Sequence, residues 1–205
     1  MYLDVFSDNS FETNCWLIGA DGNDDAVVVD PGFAPERVHA MLEAEGGRPV
    51  AVLATHGHFD HVGSAAEFCG DDLPFHIHEA DVQALTDPQA WGAGFQTPSV
   101  PVKDVRTLVD GDVLTFAGFR VQVVHTPGHT PGSVCFRTDG WVLSGDLVFA
   151  GSIGRSDFPN SSPADMGRSL RRFLELPDPT DVLPGHGPRT TVDRERATNP
   201  FFRDL

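Results

Sequence analysis

The segment Thr55-His56-Gly57-His58-Phe59-Asp60-His61 places three imidazoles and a carboxylate within seven residues. Imidazole nitrogen and carboxylate oxygen are ligands that suit zinc, and one zinc ion takes about four of them. On a regular helix His56 and His58 would point to nearly opposite sides, so both reach one ion only from an extended or looping segment. The segment therefore predicts a metal-binding loop.

The residues around this loop predict the elements that position it. Residues 50–54 are apolar and partly β-branched, which is typical of a short buried strand that ends where the histidines begin. Residues 61–68 have helix-forming character, which places Asp60 and His61 near the start of a helix. The local order is therefore strand, ligand loop and helix.

Three further candidate ligands lie later in the chain, each after an apolar run and beside a glycine: His129, Asp146 and His186. Each has the context of a side chain presented at the end of a strand. Together with the loop they make five histidines and two aspartates. This set is sufficient for two ions if one carboxylate bridges them.

The combined pattern resembles the metallo-β-lactamase fold and, within it, the short single-domain bacterial form of the type II glyoxalases (hydroxyacylglutathione hydrolases). Members share a T-H-x-H-x-D-H loop followed by isolated His, Asp and His ligands in that order. The match extends from the first strand to His186. The resemblance implies an α/β (α+β) fold, a four-layer αββα sandwich, with residues 1–205 forming one domain.

The resemblance also implies two ligand sets: His56, His58 and His129 for a first metal, and Asp60, His61 and His186 for a second. Asp146 would bridge the two metals. An aspartate at the bridging position is similar to the glyoxalase branch, whereas the drug-hydrolysing lactamases often have a cysteine there. The implied cofactors are two divalent ions, with zinc expected and iron or manganese as alternatives.

Such a centre predicts hydrolysis. Two divalent ions about 3.5–4 Å apart can hold a bridging water and lower its pKa, so that hydroxide becomes the nucleophile, and one ion can stabilise the oxyanion. A thioester leaves as a thiolate, which needs little proton assistance. Asp60 can both bind metal and orient the hydroxide, so it is the predicted catalytic residue. No serine stands in a G-x-S-x-G elbow.

The expected substrate is a small S-2-hydroxyacylglutathione-type thioester. Longer type II glyoxalases carry a helical carboxyl-terminal domain with basic residues for glutathione, and this sequence resembles the shorter members without it. Arg155, in the segment Gly151 to Phe158, is the candidate for contacting a substrate carboxylate. An ion pair with Asp157 or a neighbouring loop acid is the alternative interpretation of Arg155.

Two other functions are compatible with many of the same motifs. Persulfide dioxygenases of this fold have a similar G-R-[S/T]-D-F stretch and use one iron, whose ligands here would be His56, His129 and Asp146. Ile153 stands about where such a dioxygenase would have a cysteine, which favours hydrolysis. A metal-dependent binding or regulatory protein would retain metal and turn over no thioester.

Other polar residues near strand ends need separate interpretations. Asp30 resembles a partner that supports the ligand loop, although a helix or turn cap explains it equally well. His76 and His78 repeat the H-x-H spacing without the following Asp-His pair, so we expect them to be strand histidines that face solvent or pack. His125 follows an apolar strand without a glycine and is predicted to be structural.

Composition limits the partners. Thirty acidic residues against fourteen basic ones give a formal charge of −16, which disfavours nucleic acid and anionic membranes. No apolar run approaches the roughly 20 residues of a membrane span, and the first residues lack a leader pattern, so we expect a cytoplasmic protein. Cys15, Cys69 and Cys135 have apolar neighbours and are expected to be buried free thiols. The oligomeric state is left open.

The remaining elements follow from periodicity and turn residues. Strands are expected at residues 2–6, 14–18, 26–30, 73–78, 105–109, 113–116, 119–124, 133–137, 141–143 and 181–184. Helices are expected at 35–45, from about 79, at 163–176 and at 191–198. Residues 90–101 are expected to form an irregular loop. The first three strands suggest an antiparallel start, and the two strand-then-helix halves imply two facing sheets with helices outside.

Overall fold

The first of two six-stranded sheets is built from the amino-terminal half of the chain. The computed structural model describes residues 2–7, 11–70, 72–87, 101–116, 118–203 and 205. In spatial order, the first sheet contains β1 (Tyr2–Ser7), β2 (Asn14–Gly19), β3 (Asp25–Val29), β4 (Arg48–Leu53), β5 (Phe75–His78) and β6 (Val105–Leu108). The β1-β2-β3 pairs are antiparallel, as expected, and the pairs from β3 to β6 are parallel.

The second sheet is built from the carboxyl-terminal half. In chain order the strands are β7 (Val113–Phe116), β8 (Phe119–His125), β9 (Val134–Arg137), β10 (Trp141–Gly145), a separate hairpin of β11 (Val148–Phe149) and β12 (Ser152–Ile153), then β13 (Asp181–Pro184) and β14 (Thr190–Thr191). The spatial order in the sheet is β14-β13-β10-β9-β8-β7. The β10–β13 pair is parallel, and the other pairs are antiparallel.

Helices cover the outer faces of both sheets. They are α1 (Pro35–Glu45), α2 (Phe59–Val62), α3 (Ala65–Phe68), α4 (Pro163–Phe173) and α5 (Val192–Thr198), with 3₁₀ helices at Glu79–Leu85 and Pro200–Phe202. Among the described residues, no helix has the length and apolar character needed to cross a membrane.

Three apolar clusters define four layers. Between the sheets, Trp16 and Leu53 of the first pack with Phe136 and Leu143 of the second. The outer face of the first sheet packs against α1 and α3, and that of the second against α4 and α5. Each fully buried large apolar side chain contributes about 1.5–3 kcal/mol of transfer free energy, so these clusters hold the layers together. The expected αββα sandwich is confirmed.

The helix boundaries follow from local chemistry. Pro163 occupies the first turn of α4, and the Ser162 hydroxyl caps it by accepting a hydrogen bond from the Asp165 N–H over 3.2 Å. Helix α1 ends at Gly46, which adopts a left-handed conformation with φ of 62°. Both ends agree with the predicted boundaries.

The single helix expected at residues 61–68 is wrong, because the structure has two short helices there. The break falls at Gly63 and Ser64. The Ser64 N–H donates to the Gly32 carbonyl over 2.7 Å, and its hydroxyl donates to Pro31 over 3.1 Å. These bonds tie the break to the loop after β3.

Other secondary-structure elements differ from the sequence-based expectation or fall outside the described residues. The two-residue strands β11, β12 and β14 were not predicted, because so short a run carries no periodicity. The helix expected from residue 79 is a 3₁₀ helix. The irregular loop expected at 90–101 lies, except for Pro101, outside the described residues.

The strand directions explain why the candidate ligands come together at one edge of the sandwich. The β3 and β4 strands are parallel, and so are β10 and β13. The residues that follow the carboxyl ends of parallel strands lie at the same edge of a sheet. Asp30, the ligand loop, Asp146 and His186 follow these strands directly, so the fold brings them to a common edge.

Candidate metal centre

All seven predicted ligands meet at this edge. Three groups of candidate metal-binding side chains form there: His56, His58 and His129; His56, His61 and Asp146; and Asp60, His61 and His186. Within each group the potential ligand atoms lie within 4.8 Å of one another. The first and third groups have the same members as the two ligand sets that the family resemblance implies.

The first group consists of imidazoles only. The Nε2 atom of His56 lies 3.1 Å from Nδ1 of His58, so the two rings turn these atoms toward one point. The His129 ring centroid lies 4.8 Å from that of His56 and 4.6 Å from that of His58. The extended backbone expected for an H-x-H pair is present, since His58 has φ of −65° and ψ of 142°.

The second group mixes imidazoles with a carboxylate. Nε2 of His61 lies 3.4 Å from Nε2 of His186. Oδ2 of Asp60 lies 3.6 Å from Nε2 of His61 and 3.5 Å from Nε2 of His186. Three potential ligand atoms from two distant parts of the chain thus face one another.

Asp146 lies between the groups. Its Oδ2 atom is 3.3 Å from Nε2 of His129 in the first group and 3.5 Å from Nε2 of His186 in the second. Its Oδ1 atom is 3.5 Å from Nε2 of His61. This carboxylate reaches members of both groups, as a bridging ligand must.

The far nitrogen of three histidines is occupied by a hydrogen bond. Nδ1 of His61 donates to the Asp30 carboxylate over 2.9 Å, and Nδ1 of His129 donates to the Arg155 carbonyl over 2.7 Å. Nδ1 of His56 lies 3.1 Å from the Thr55 hydroxyl. Such bonds select the tautomer that leaves Nε2 as the metal-binding atom.

Asp30 supports both groups. Its Oδ1 accepts a hydrogen bond from the Thr55 N–H over 2.8 Å, and its Oδ2 accepts from the Thr55 hydroxyl over 2.7 Å as well as from His61. Because the Thr55 hydroxyl gives its proton to Asp30, it is free to accept one from His56. Asp30 is buried and has φ of 52°, which is uncommon for a residue other than glycine. Its interpretation as a partner of the ligand loop is confirmed.

Asp81 is a buried carboxylate that the sequence did not indicate. Its Oδ2 accepts from the Gly57 N–H over 2.8 Å and from the Thr130 hydroxyl over 2.7 Å. Its Oδ1 accepts from the Gly132 N–H over 2.6 Å. Asp81 therefore ties the loop of His56 and His58 to the loop of His129. It lies in a short 3₁₀ helix with no neighbouring ligand residue or glycine, so no local pattern distinguishes it.

Thr13 and Asn14 were also missed, and they support the second group. The Thr13 hydroxyl donates to Oδ2 of Asp60 over 3.0 Å. The Asn14 amide donates to the carbonyls of Pro184 and Gly187 over 3.0 and 2.8 Å, on either side of His186. Both residues come from the opposite end of the chain, which is why spacing alone could not find them.

The two groups differ in charge. Burial, together with neighbouring imidazoles, lowers the pKa of His56 well below its usual range and that of His58 to about 3, so both stay neutral. Burial also lowers the pKa of His61, but Asp60 and Asp30 outweigh it and raise that pKa to about 9.

In and beside the second group, carboxylates and imidazoles hold one another in their charged forms. Burial raises the pKa of Asp146, but His61 and His129 outweigh it and hold it at about 2. The pKa of Asp60 is also held below its usual range, because His61 and His186 overcome the effect of burial. In turn, hydrogen bonds to Asp146 and Asp60 overcome burial and raise the pKa of His186 to about 11. Divalent cations bound there would displace the protons of His61 and His186 and pair with the same carboxylates.

The residues present fit a pair of divalent ions. Among the described residues, Nε2 of His129 and Oδ1 of Asp146 are buried and have no hydrogen-bond partner. Leaving such a buried polar atom unsatisfied costs about 1–3 kcal/mol, and a cation between the groups would satisfy both. Imidazole nitrogen and carboxylate oxygen are ligands for zinc, iron and related ions.

The other histidines lie outside the three groups. His78 is buried and stacks on His125 with ring centroids 4.0 Å apart and an interplanar angle of 11°. Nε2 of His125 lies 2.9 Å from the Pro131 carbonyl. His76 is also buried, so both strand histidines pack rather than face solvent, and the structural interpretation of His125 is confirmed.

Arg155 is at the rim of the site. Its guanidinium pairs with Asp157 over 2.9 Å and lies 4.4 Å above the Phe158 ring. The ion pair offered as the alternative interpretation is therefore present, and a substrate-binding role stays a prediction. The three cysteines are free and buried, as expected.

Comparison with known proteins agrees with this geometry. The family model of the metallo-beta-lactamase superfamily matches residues 9–186. The chain belongs to the metallo-β-lactamase superfamily. As a member of this superfamily it is a metallo-hydrolase, and the two ligand groups at the sheet edge are its candidate metal centre.

Relatives in the superfamily cover nearly all of the chain. An uncharacterized protein of Mycobacterium leprae (strain TN) is 40% identical over 222 residues, which cover 100% of both chains. The hydroxyacylglutathione hydrolase GloC of Haemophilus influenzae (strain ATCC 51907 / DSM 11121 / KW20 / Rd) is 32% identical over 210 residues, which cover 98% of both.

Solved structures of similar fold also cover nearly all of the chain. The BLEG-1 B3 metallo-beta-lactamase is 32% identical with a TM-score of 0.88, over 98% of this chain and 100% of that one. TTHA1623 in a di-iron-bound form is 40% identical with a TM-score of 0.81, over 97% and 99%. ETHE1 from Myxococcus xanthus is 25% identical with a TM-score of 0.80, over 98% and 84%.

Proposed function

We propose that this metallo-hydrolase is a thioesterase that cleaves S-2-hydroxyacylglutathione-type thioesters. The observation that carries the proposal is the position of Asp146, whose Oδ2 lies 3.3 Å from His129 and 3.5 Å from His186. One carboxylate thus joins a three-imidazole group to a mixed group. Two divalent ions held there would supply a nucleophilic water of lowered pKa and a Lewis acid for the carbonyl oxygen.

The protein's own residues determine orientation. The Thr13 hydroxyl donates to Oδ2 of Asp60, which fixes this carboxylate at the second group. We propose Asp60 as the catalytic residue, because from there it can accept a hydrogen bond from the attacking water. The hydrogen bonds of Asp30 and of the Arg155 carbonyl keep His61 and His129 in one tautomer throughout the reaction.

The leaving group distinguishes a thioester from an amide. A thiol has a pKa of about 8.5, so the thiolate departs without a proton, whereas an amide nitrogen must be protonated as it leaves. In this proposal the five imidazoles of the donor groups serve as metal ligands, so none of them is a free general acid. This donor set therefore favours a thioester. The 32% identity with the GloC hydrolase over 98% of both chains supports the same substrate class.

The persulfide dioxygenase is less well supported. It would use His56, His129 and Asp146 for one iron and would leave Asp60 and His186 without a role. Yet the second group is as closely assembled as the first, within the same 4.8 Å limit. Ile153 at the expected cysteine position also favours hydrolysis.

Metal analysis combined with turnover tests the proposal. We expect protein purified without chelators to contain two divalent ions per chain and to hydrolyse S-lactoylglutathione. Asp146→Asn should reduce both, whereas Asp112→Asn, a change in the turn before β7, should affect neither. One iron per chain with oxygen uptake on glutathione persulfide would indicate the dioxygenase. Bound metal without turnover of any thioester would indicate a binding or regulatory protein.

A further inference from the structure

Three phenylalanines form a cluster beside the second ligand group. The ring centroids of Phe11, Phe33 and Phe59 lie 5.1 to 5.8 Å from one another. We call this set the aromatic cluster. Phe11 is 47% exposed and Phe33 is 39% exposed, so the cluster presents apolar surface to solvent. Clustered exposed apolar side chains in soluble proteins often mark a binding site.

Each phenylalanine is connected to the second ligand group through neighbouring residues of the chain. Phe59 is the chain neighbour of Asp60 on the first turn of α2. Phe11 leads to Thr13, whose hydroxyl donates to Asp60 over 3.0 Å and whose backbone forms a bridge with His186.

Phe33 is attached through the loop after β3. It follows Gly32, whose N–H donates to the His61 carbonyl over 3.0 Å. Its ring also lies against Gly63, where an added Cβ would overlap the ring. These contacts place the aromatic cluster beside Asp60 and His61.

The chemistry of the rings restricts the occupant. Phenylalanine has no hydrogen-bond donor or acceptor, so the aromatic cluster cannot recognise the carboxylates or the amine of a thiol carrier. In a 2-hydroxyacyl thioester, the variable apolar part is the substituent on the acyl carbon. Aromatic rings pack well against aliphatic or aromatic groups of this kind.

The opposite end of the site has the complementary chemistry. Phe158 packs against His58 and His129 of the first group, with centroids 5.6 and 5.9 Å apart, and carries the Arg155 guanidinium on its face. Arg155, paired with Asp157, therefore lies near the first group, and the aromatic cluster lies near the second. A thioester with a charged thiol carrier and an apolar acyl group matches this arrangement when its acyl group lies on the aromatic cluster and its thiol carrier lies toward Arg155.

We propose that Phe11, Phe33 and Phe59 form the subsite for the acyl substituent, so that the enzyme prefers thioesters of 2-hydroxy acids with large apolar or aromatic substituents over lactoyl thioesters. This inference rests on the proposed thioesterase function. The carboxylates of the thiol carrier would then lie toward Arg155.

Two substrates that differ in one group test the subsite. S-lactoylglutathione and S-mandeloylglutathione share the thiol and the 2-hydroxyacyl frame, and differ only by methyl against phenyl. We expect the wild type to have the higher kcat/KM for the mandeloyl thioester. Phe33→Ala should lower the mandeloyl-to-lactoyl ratio of kcat/KM about tenfold, the size expected for losing apolar contacts in a pocket.

A matched control separates the subsite from general effects of removing a ring. Phe201 is 50% exposed in the 3₁₀ helix Pro200–Phe202, so Phe201→Ala should leave the ratio unchanged. Phe11→Ala provides a second variant if Phe33→Ala folds poorly, and metal content is measured for each. A mandeloyl-to-lactoyl ratio that is unchanged in both cluster variants would overturn the proposal, even if kcat/KM fell by the same factor for both substrates.

A binding measurement keeps the subsite testable if no thioester is hydrolysed. That result would remove the proposed function but not the aromatic cluster. Calorimetric titration of the metal-loaded protein then compares its affinity for mandelate with its affinity for lactate. The subsite stands if mandelate binds more tightly to the wild type and Phe33→Ala abolishes the difference. Equal binding of the two acids by the wild type would reject it.

Discussion

The imidazole of His61 donates its Nδ1 proton to the buried carboxylate of Asp30 over 2.9 Å. The same carboxylate accepts the Thr55 hydroxyl, which in turn lies 3.1 Å from Nδ1 of His56. One acid therefore orients an imidazole of each ligand group. If this contact is as important as the geometry indicates, changing Asp30 should affect metal binding more than folding.

Asp30→Asn should lower metal affinity about 10- to 100-fold, which is typical when a partner of a ligand histidine is lost. An asparagine amide has one acceptor oxygen where the carboxylate has two, so it cannot satisfy the Thr55 N–H on one side and His61 on the other. The His61 tautomer that leaves Nε2 free is then no longer selected. Competition with a chelator measures the change. Asp25→Asn, at the start of the strand that precedes Asp30 and paired with exposed Arg48, is the control and should bind metal normally. Equal affinities in the two variants would contradict this role for Asp30.

His58→Ala should remove metal from the first group and abolish most hydrolysis while leaving the fold largely intact. The reason is that a three-imidazole group cannot hold its ion well with two ligands. His76→Ala is a matched control, because His76 has the same H-x-H spacing but lies outside the donor groups. Elemental analysis with circular dichroism checks both variants. Full activity in His58→Ala would count against the assignment.

Gly185→Ala should displace Asp146. A Cβ at this position would overlap the Asp146 carboxylate and lie 2.9 Å from Cε1 of His61. A displacement of about 1 Å in an active site can reduce activity about 100-fold, and we expect a loss of kcat/KM of that order. Gly70→Ala, where nothing lies within 4 Å, should behave as the wild type. Normal kinetics for Gly185→Ala would show that Asp146 does not need its observed position.

Asp81 should make stability depend on pH. Burial raises the pKa of Asp81 to about 6 in the folded protein, against an ordinary value near 3.8, although its hydrogen bonds to Thr130, Gly57 and Gly132 oppose the shift. Between these two pH values the folded state binds more protons than the unfolded state. The stability from this group is therefore full below about pH 4 and is lost as the pH rises through about 6.

Denaturant unfolding in the presence of a chelator measures this effect without changes in metal loading. The free energy of unfolding of the wild type, minus that of Asp81→Asn, should fall by an amount on the order of 2 kcal/mol between pH 4 and pH 7. The asparagine variant has no group that titrates at this position. A difference that stays constant across this range would mean that Asp81 titrates normally.

The sequence determined the ligand types, the strand-loop-helix order around them and the layered fold. The ligand types and the element order depend on local information, whereas the four-layer sandwich is what the family resemblance implies. The H-x-H-x-D-H run is contiguous, and each isolated ligand follows an apolar strand and sits beside a glycine. Helix α1 and the capped start of α4 follow from Pro35, Gly46, Ser162 and Pro163.

Only the tertiary structure decided which residues support the candidate ligands and which side chains lie beside them. Asp81 contacts Thr130 across 49 positions, and Thr13 contacts Asp60 across 47. The aromatic cluster joins rings from three separate segments of the chain. These relationships depend on how strands at one sheet edge are ordered in space, and that order comes from packing between distant segments rather than from any local pattern.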